Sequence, residues 1–452
     1  RVMTVVLPVP TPARTRSGPS RWVTAASCSG FSPSSTSVTP ESVSHGPGAF
    51  DNKNIGDKFI GEMFTLRPVY GEDFLDREEL LEELVTTLSS PREEMGFALV
   101  GPRRMGKTSL FLETVRRLRE VPGVVPVYLS LWELVEGTPE ELSRELLGAV
   151  LEAFREQGKL PLRVRARHLL QAPLELLQEL LREVRLSLRL REELEVMLLL
   201  SRGRGEIPPG ELLSRSLAFP NKLAGECGVR CALFLDEFPS ILELRRGGKP
   251  LGEGVVRKLR SEYERADNLV LSISGSVRST MEAVALRPAA AFWRQFIVRE
   301  VGPLPRDAVE ELLRRNLGRP ISPGALARLW GFTQGIPFYV QFIGRELSRR
   351  GERAVIEEEV ERAVEEFLRE EGTILFQEQW RRLSPKERKI LQAMAKGLSV
   401  PSDIAREAGE PPNTVSQYLR YLAEKELVTR VEPGHWRIAD QVFARWLRDK
   451  LE

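Results

Sequence analysis

The stretch Gly101-Pro-Arg-Arg-Met-Gly-Lys-Thr-Ser109 matches the pattern G-x-x-x-x-G-K-[ST] and constrains this chain more than any other feature. The pattern needs a strand before it and a helix after it, because backbone amides and a helix N-terminus must converge on one anion. Both are legible: Phe97 to Val100 is an apolar run, and Leu110 to Leu118 has helical period. Gly101 and Gly106 leave the backbone free to wrap closely around phosphates. On this reading Gly101, Pro102, Arg103, Arg104, Met105, Gly106, Lys107, Thr108 and Ser109 line a site for the phosphates of ATP. Lys107 faces the β and γ phosphates, and the Thr108 hydroxyl ligates Mg²⁺.

A second motif completes the chemistry. Cys231-Ala-Leu-Phe-Leu-Asp-Glu-Phe-Pro239 is an apolar run ending in two acids. It reads as a buried parallel strand with carboxylates at its C-terminal edge, where ligands sit in open α/β sheets. Asp236 is expected to hold Mg²⁺, directly or through water. Glu237 is expected to orient and deprotonate an attacking water. Lys107 and Glu237 are thus catalytic candidates, and Thr108 and Asp236 metal candidates. An acid pair on its own reads as a solvated strand end; beside the phosphate loop it marks a chain that hydrolyses ATP. A third strand is read in Asn268 to Ser276.

Bulk properties suit an intracellular, cytoplasmic protein. The chain has 452 residues and a net charge of +2, which argues against a global field for polyanions. Cys28, Cys227 and Cys231 have neither disulfide nor metal spacing, and His45, His168 and His435 are too few for a histidine-based metal site. No apolar run approaches the roughly 18–20 residues needed to cross a bilayer, so no membrane contact is expected.

Residues 1–62 stand apart. Arg1 to Phe50 is rich in Ser, Pro, Thr and Gly, and has one acid (Glu41) and one leucine (Leu7). Such a segment buries too little apolar area to offset its ordering entropy, so it reads either as a non-native extension, with Met63 the natural initiator, or as a disordered tail. After it, Glu78 to Ser89 reads as an amphipathic helix and Val124 to Leu131 as a strand. Thr138 to Cys227 is a Leu/Glu/Arg-rich stretch of helical period, including Leu169 to Leu200, too long for a crossover loop. Pro303 to Glu370 reads as a helical lid.

From Arg381 onward the chain has fourteen basic and ten acidic residues, a net +4. Ser384, Pro385 and Glu387 form a capping-box start. Ser402 to Ala408 and Asn413 to Lys425 read as helices, and Val428–Val431 with His435–Ile438 as a hairpin. That order is a winged helix. In a DNA reader Asn413, Thr414, Ser416, Gln417 and Arg420 would meet the major groove, with Arg430 or Arg437 at the backbone. An interdomain contact that holds nucleotide is the competing reading of the same module.

Several of these features together resemble the archaeal-type ATPases, relatives of the signal-transducing ATPases with numerous domains (STAND) within the AAA+ class. They are Phe74-Leu-Asp-Arg-Glu-Glu-Leu80, the double arginine of the phosphate loop, Leu-Asp-Glu-Phe-Pro239, Gly275-Ser276, Arg294 before the strand Phe296 to Val301, and Thr333-Gln-Gly-Ile-Pro-Phe-Tyr339. The resemblance spans roughly Met63 to Glu452. It departs at Trp293, where a glycine usually precedes the arginine, and at Gln334, where many members carry glycine.

The resemblance implies that Arg77 and Pro337 lie near adenine. It places Ser274, or else Ser276, where relatives sense the γ-phosphate. Arg294 is implied to stabilise phosphoryl charge, in its own site or a neighbouring subunit's. The implied fold class is α/β: a P-loop NTPase parallel sheet (63–302) with a helical insertion (about 138–227), a helical lid (303–370) and a C-terminal winged-helix domain (371–452). Two functions stay open: an ATP-binding and ATP-hydrolysing regulatory switch acting on an unknown protein partner, or a DNA-binding ATPase resembling archaeal origin-recognition proteins in layout. A monomer or a nucleotide-dependent oligomer fits either.

Overall fold

The structure, a computed structural model, describes residues 64–91, 93–160, 186–201, 209–276, 281–282, 284, 287–288, 290–351 and 353–450. The expected N-terminal extension and residues 161–185 of the helical stretch lie outside the described residues.

Five strands form one parallel sheet: β1 (Gly96–Val100), β2 (Val124–Ser130), β3 (Arg230–Asp236), β6 (Leu269–Gly275) and β7 (Phe296–Glu300). Their order is β2-β3-β6-β1-β7. Between β3 and β6 the short strands β4 (Arg245–Arg246) and β5 (Lys249–Pro250) pair antiparallel. Near-continuous apolar runs suit strands covered on both faces. Alternate residues accordingly serve two cores. Phe97, Leu99, Ala232, Phe234 and Val270 face one side, with Leu110 and Phe111. Ala98, Val100, Val127, Cys231, Leu233 and Ile273 face the other.

Helices supply the cover. α1 (Glu78–Ser89) and α2 (Lys107–Leu118) pack on the first face, where Phe111 meets Phe234 edge-on at 5.1 Å. Such an aromatic pair adds about 0.5–1.5 kcal/mol beyond its buried area. On the other face lie α3 (Pro139–Glu156), α4 (Leu188–Ser201), α5 (Pro209–Glu226) and α6 (Gly252–Tyr263). The start of α3 is set locally: Thr138 accepts from the Glu141 amide, and Pro139 fills the first turn.

The lid is α7 (Arg306–Asn316), α8 (Pro323–Thr333), α9 (Pro337–Ser348) and α10 (Glu357–Arg369). α11 (Glu371–Arg381) leads into α12 (Pro385–Ala395), α13 (Pro401–Ala408), α14 (Pro412–Glu424) and the hairpin β8 (Val428–Glu432) and β9 (His435–Ile438). The Ser384–Glu387 box forms as expected, with reciprocal bonds of 3.4 and 2.8 Å. A closing helix, α15 (Gln441–Asp449), was not anticipated. Its Val442, Phe443, Trp446 and Leu447 are buried in the same apolar cluster as the lid and the sheet's first face. The three units therefore share one core. Among the described residues no helix is long and apolar enough to cross a membrane.

Candidate active site

Parallel register lines up the C-terminal ends of the strands, pairing Val100 with Gly275, Leu235 with Ile273, and Ser130 with Asp236. The phosphate loop leaves β1 at that edge. Gly101 has φ +149, and a Cβ there would lie 2.3 Å from the Val301 carbonyl oxygen, so only glycine fits. Lys107 opens α2 and is buried, its Nζ donating to the Gly101 and Pro102 carbonyls at 2.8 and 2.9 Å. Burial lowers its pKa, opposed by the charges of Glu237, Asp236 and Glu426. Glu426 belongs to the turn between α14 and β8.

Asp236 is buried at the end of β3, and three hydroxyls converge on it. Thr108 Oγ1 donates to Oδ2 at 2.7 Å, Tyr128 Oη donates to Oδ2 at 2.8 Å, and Ser274 Oγ donates to Oδ1. Burial, then the Asp236 charge, raises the Tyr128 phenol far above its usual range, so it remains a protonated donor. The carboxylate and the Thr108 hydroxyl form an all-oxygen pair, the donor chemistry that suits Mg²⁺ completed by phosphates and water.

Glu237 follows with φ 49 and ψ 47, a left-handed conformation that is uncommon outside glycine and recurs at functional sites. Its Oε2 accepts from Ser276 Oγ at 3.1 Å, and its amide donates to Ser274 Oγ at 3.3 Å. Ser274 and Ser276 therefore act on the two acids, one each by side chain.

The walls of the loop are arginines. Arg77 donates to the Met105 and Gly302 carbonyls at 2.6 and 2.7 Å, bracing the loop against the exit of β7. Burial lowers its pKa, with Asp76 opposing. Arg103 lies 5.5 Å over the exposed ring of Trp132, which borders a cavity of about 190 Å³ shared with Leu131, Leu134 and Leu244. Arg104, itself left-handed at φ 68, lies 4.8 Å over Phe338 and donates to Tyr339 Oη at 3.2 Å. Pro337 is the first residue of α9, so it directly precedes the two aromatic residues of this contact. The turn before it needs Gly335: φ is +72, and a Cβ would meet the Leu304 carbonyl oxygen at 2.2 Å.

Residues 373–447, the winged-helix segment, match a family model described as Domain of unknown function (DUF8462). No curated protein matches the chain. Among solved structures the chain is similar to the Walker-type ATPase of Pyrococcus abyssi, with 22% identity over 85% of this chain and 99% of that chain, TM-score 0.61.

The two chains share their fold.

Similarity extends to the Orc2 protein of Aeropyrum pernix in ADPNP–ADP complexes (15% identity, 86% of this chain and 99% of that chain, TM-score 0.49). It also includes Cdc6p of Pyrobaculum aerophilum (16%, 86% and 98%, TM-score 0.40).

Within this fold one expectation needs correction. Arg294 does not reach the chain's own phosphate loop. β7 runs parallel to β1, pairing Phe296 with Gly96 and Glu300 with Val100. Arg294 precedes β7 and so lies at the opposite edge from Gly101, with the whole length of the strand, about 16 Å, between them. There it is exposed, stacked 5.7 Å over Trp293. A rule of the fold would have found this: ligands sit at the C-terminal edge, and a residue before a parallel strand lies at the other.

Two residues escaped the motif reading. Tyr128 looks like a core aromatic within an apolar strand. Asp440 looks like an ordinary helix cap, and it is one, accepting from the Val442 and Phe443 amides. Its Oδ2 also accepts from Tyr339 Oη at 2.5 Å. Asp440 next to Val442, Phe443, Trp446 and Leu447 was the available signal for a capped amphipathic helix.

Proposed function

We propose that this chain binds ATP with Mg²⁺, hydrolyses it, and passes the state of the phosphate loop through the lid to the winged helix. The observation that carries this reading is a continuous hydrogen-bonded path. Arg104 of the loop donates to Tyr339 of the lid, and Tyr339 donates to Asp440 at the N-terminus of α15. Tyr339 is 1% exposed, and burial raises its phenol well above the usual range, so it stays a donor.

At the loop, Lys107 and the amides at the start of α2 bind phosphate, and Thr108 and Asp236 hold Mg²⁺. Mg²⁺, when bound, neutralises charge developing on the phosphate oxygens. Glu237 orients water and takes its proton, while Ser276 steadies the carboxylate. Phosphate arriving at Lys107 competes with the Gly101 and Pro102 carbonyls, so occupancy rearranges the loop that carries Arg104.

Tyr339→Phe is the test. It removes the shared hydroxyl and keeps the ring, at a cost of about 0.5–1.5 kcal/mol per lost hydrogen bond. ATP affinity is expected to change little. The ATP-dependent change in hydrogen exchange across Gln441–Asp449 is expected to disappear. A variant that keeps the wild-type exchange response would remove the basis of the coupling.

The outer face of the winged helix supports the second reading, a DNA-binding ATPase. Asn413, Gln417 and Arg420 are exposed on α14, as are Arg430 and Arg437 on the hairpin. Duplex DNA binding that falls steeply and log-linearly with salt would favour it; a flat response would remove it.

The placement of Arg294 yields a further expectation. Arg294→Ala keeps wild-type kcat in dilute protein, since no chemistry of its own site lies within reach. A tenfold drop in kcat that persists on dilution would contradict that placement. A loss confined to concentrated protein would instead support action on a neighbouring copy.

A further inference from the structure

We infer that Tyr128 is a positioning residue for the cation site, holding the Asp236 carboxylate in the orientation that receives Mg²⁺. This inference rests on the ATP-hydrolysing reading. Asp236 is oriented from three elements: Thr108 on α2, Ser274 on β6 and Tyr128 on β2. The β2–β3 register pairs Tyr128 with Phe234 and Ser130 with Asp236. Residues two apart share a face of the sheet, so the ring of Tyr128 lies beside Phe234 and its hydroxyl extends along the strand to Asp236. The ring packs on the apolar cluster that contains Phe111 and Phe234, so the side chain is anchored along its length.

The three hydroxyls are not equivalent. Thr108 is assigned as a cation ligand, and its oxygen cannot be devoted to Asp236 alone. Ser274 also accepts from the Glu237 amide, which ties it to the neighbouring acid. Tyr128 brings to Oδ2 a donor from outside the phosphate-loop motif. Carboxylates at metal sites depend on such outer hydrogen bonds for orientation, and losing one typically costs 10–100-fold in metal affinity.

The test is Tyr128→Phe, which deletes one oxygen and keeps the packed ring. The Mg²⁺ concentration that half-saturates metal-dependent ATP binding is expected to rise at least about tenfold. Mn²⁺ binding in the presence of a non-hydrolysable ATP analogue, read by electron paramagnetic resonance, should weaken in parallel. ATP binding in EDTA and the melting temperature should stay near wild type, which a purely structural tyrosine would not predict. Tyr128→Met, apolar and without a donor, repeats the test should the phenylalanine variant fail to fold. A Mg²⁺-dependent wild type with no metal shift in either variant overturns the assignment alone. A wild type whose ATP binding ignores Mg²⁺ overturns the parent reading and this assignment with it.

Discussion

Lys107→Ala is expected to abolish tight ATP binding in a protein that still folds. The ammonium is buried and makes two bonds to loop carbonyls, which phosphate oxygens would replace as partners. Two charge-assisted hydrogen bonds to phosphate, each worth about 1.5–3 kcal/mol, place the loss at roughly 100-fold or more. The variant also leaves the Gly101 and Pro102 carbonyls without this donor, a stability cost of about 1–3 kcal/mol if water does not replace it. Calorimetric titration with ATP, run beside circular dichroism to confirm folding, separates the two effects. Near-normal affinity in a folded variant would dismiss the phosphate-loop assignment.

Glu237→Gln is expected to keep ATP and Mg²⁺ binding while lowering kcat by about 10²–10⁴, the range general bases contribute. Glutamine has the same length and can still accept from Ser276, so the left-handed turn and its 3.1 Å bond survive while basicity is lost. Asp236 is untouched by the change, and metal-dependent binding should therefore persist. The measurement is phosphate release under saturating ATP, with nucleotide binding followed separately. Unchanged turnover would reduce Glu237 to a strand-end acid and shift the handling of water to another group.

Much of the site is legible in the chain alone. The phosphate loop is contiguous, and its helix, its turn glycines and the bonds of Lys107 to Gly101 and Pro102 close within a few residues. Asp236 and Glu237 end a strand whose apolar run marks its direction and burial. The helix Glu78–Ser89 and the Ser384–Glu387 cap are readable for the same reason: their hydrogen bonds close within a few residues.

The remainder depends on distance in sequence. Arg104 and Tyr339 are 235 positions apart, and Tyr339 and Asp440 are 101 apart. Nothing local distinguishes Tyr339 from a core aromatic or Asp440 from an ordinary cap. Tyr128 likewise reaches Asp236 across 108 positions, because two strands happen to be neighbours in register.

The amino-acid sequence by itself determined the glycine-flanked loop between strand and helix and the two acids at a strand end, since each rests on backbone geometry set within one turn or one strand. Only the tertiary structure decided that Arg294 stands at the far edge of the sheet, that a β2 phenol donates to Asp236, and that Tyr339 bridges Arg104 of the loop to Asp440. Those outcomes follow from strand order and from which buried polar groups meet. A buried hydroxyl or carboxylate must find a partner wherever packing brings one, at whatever distance along the chain.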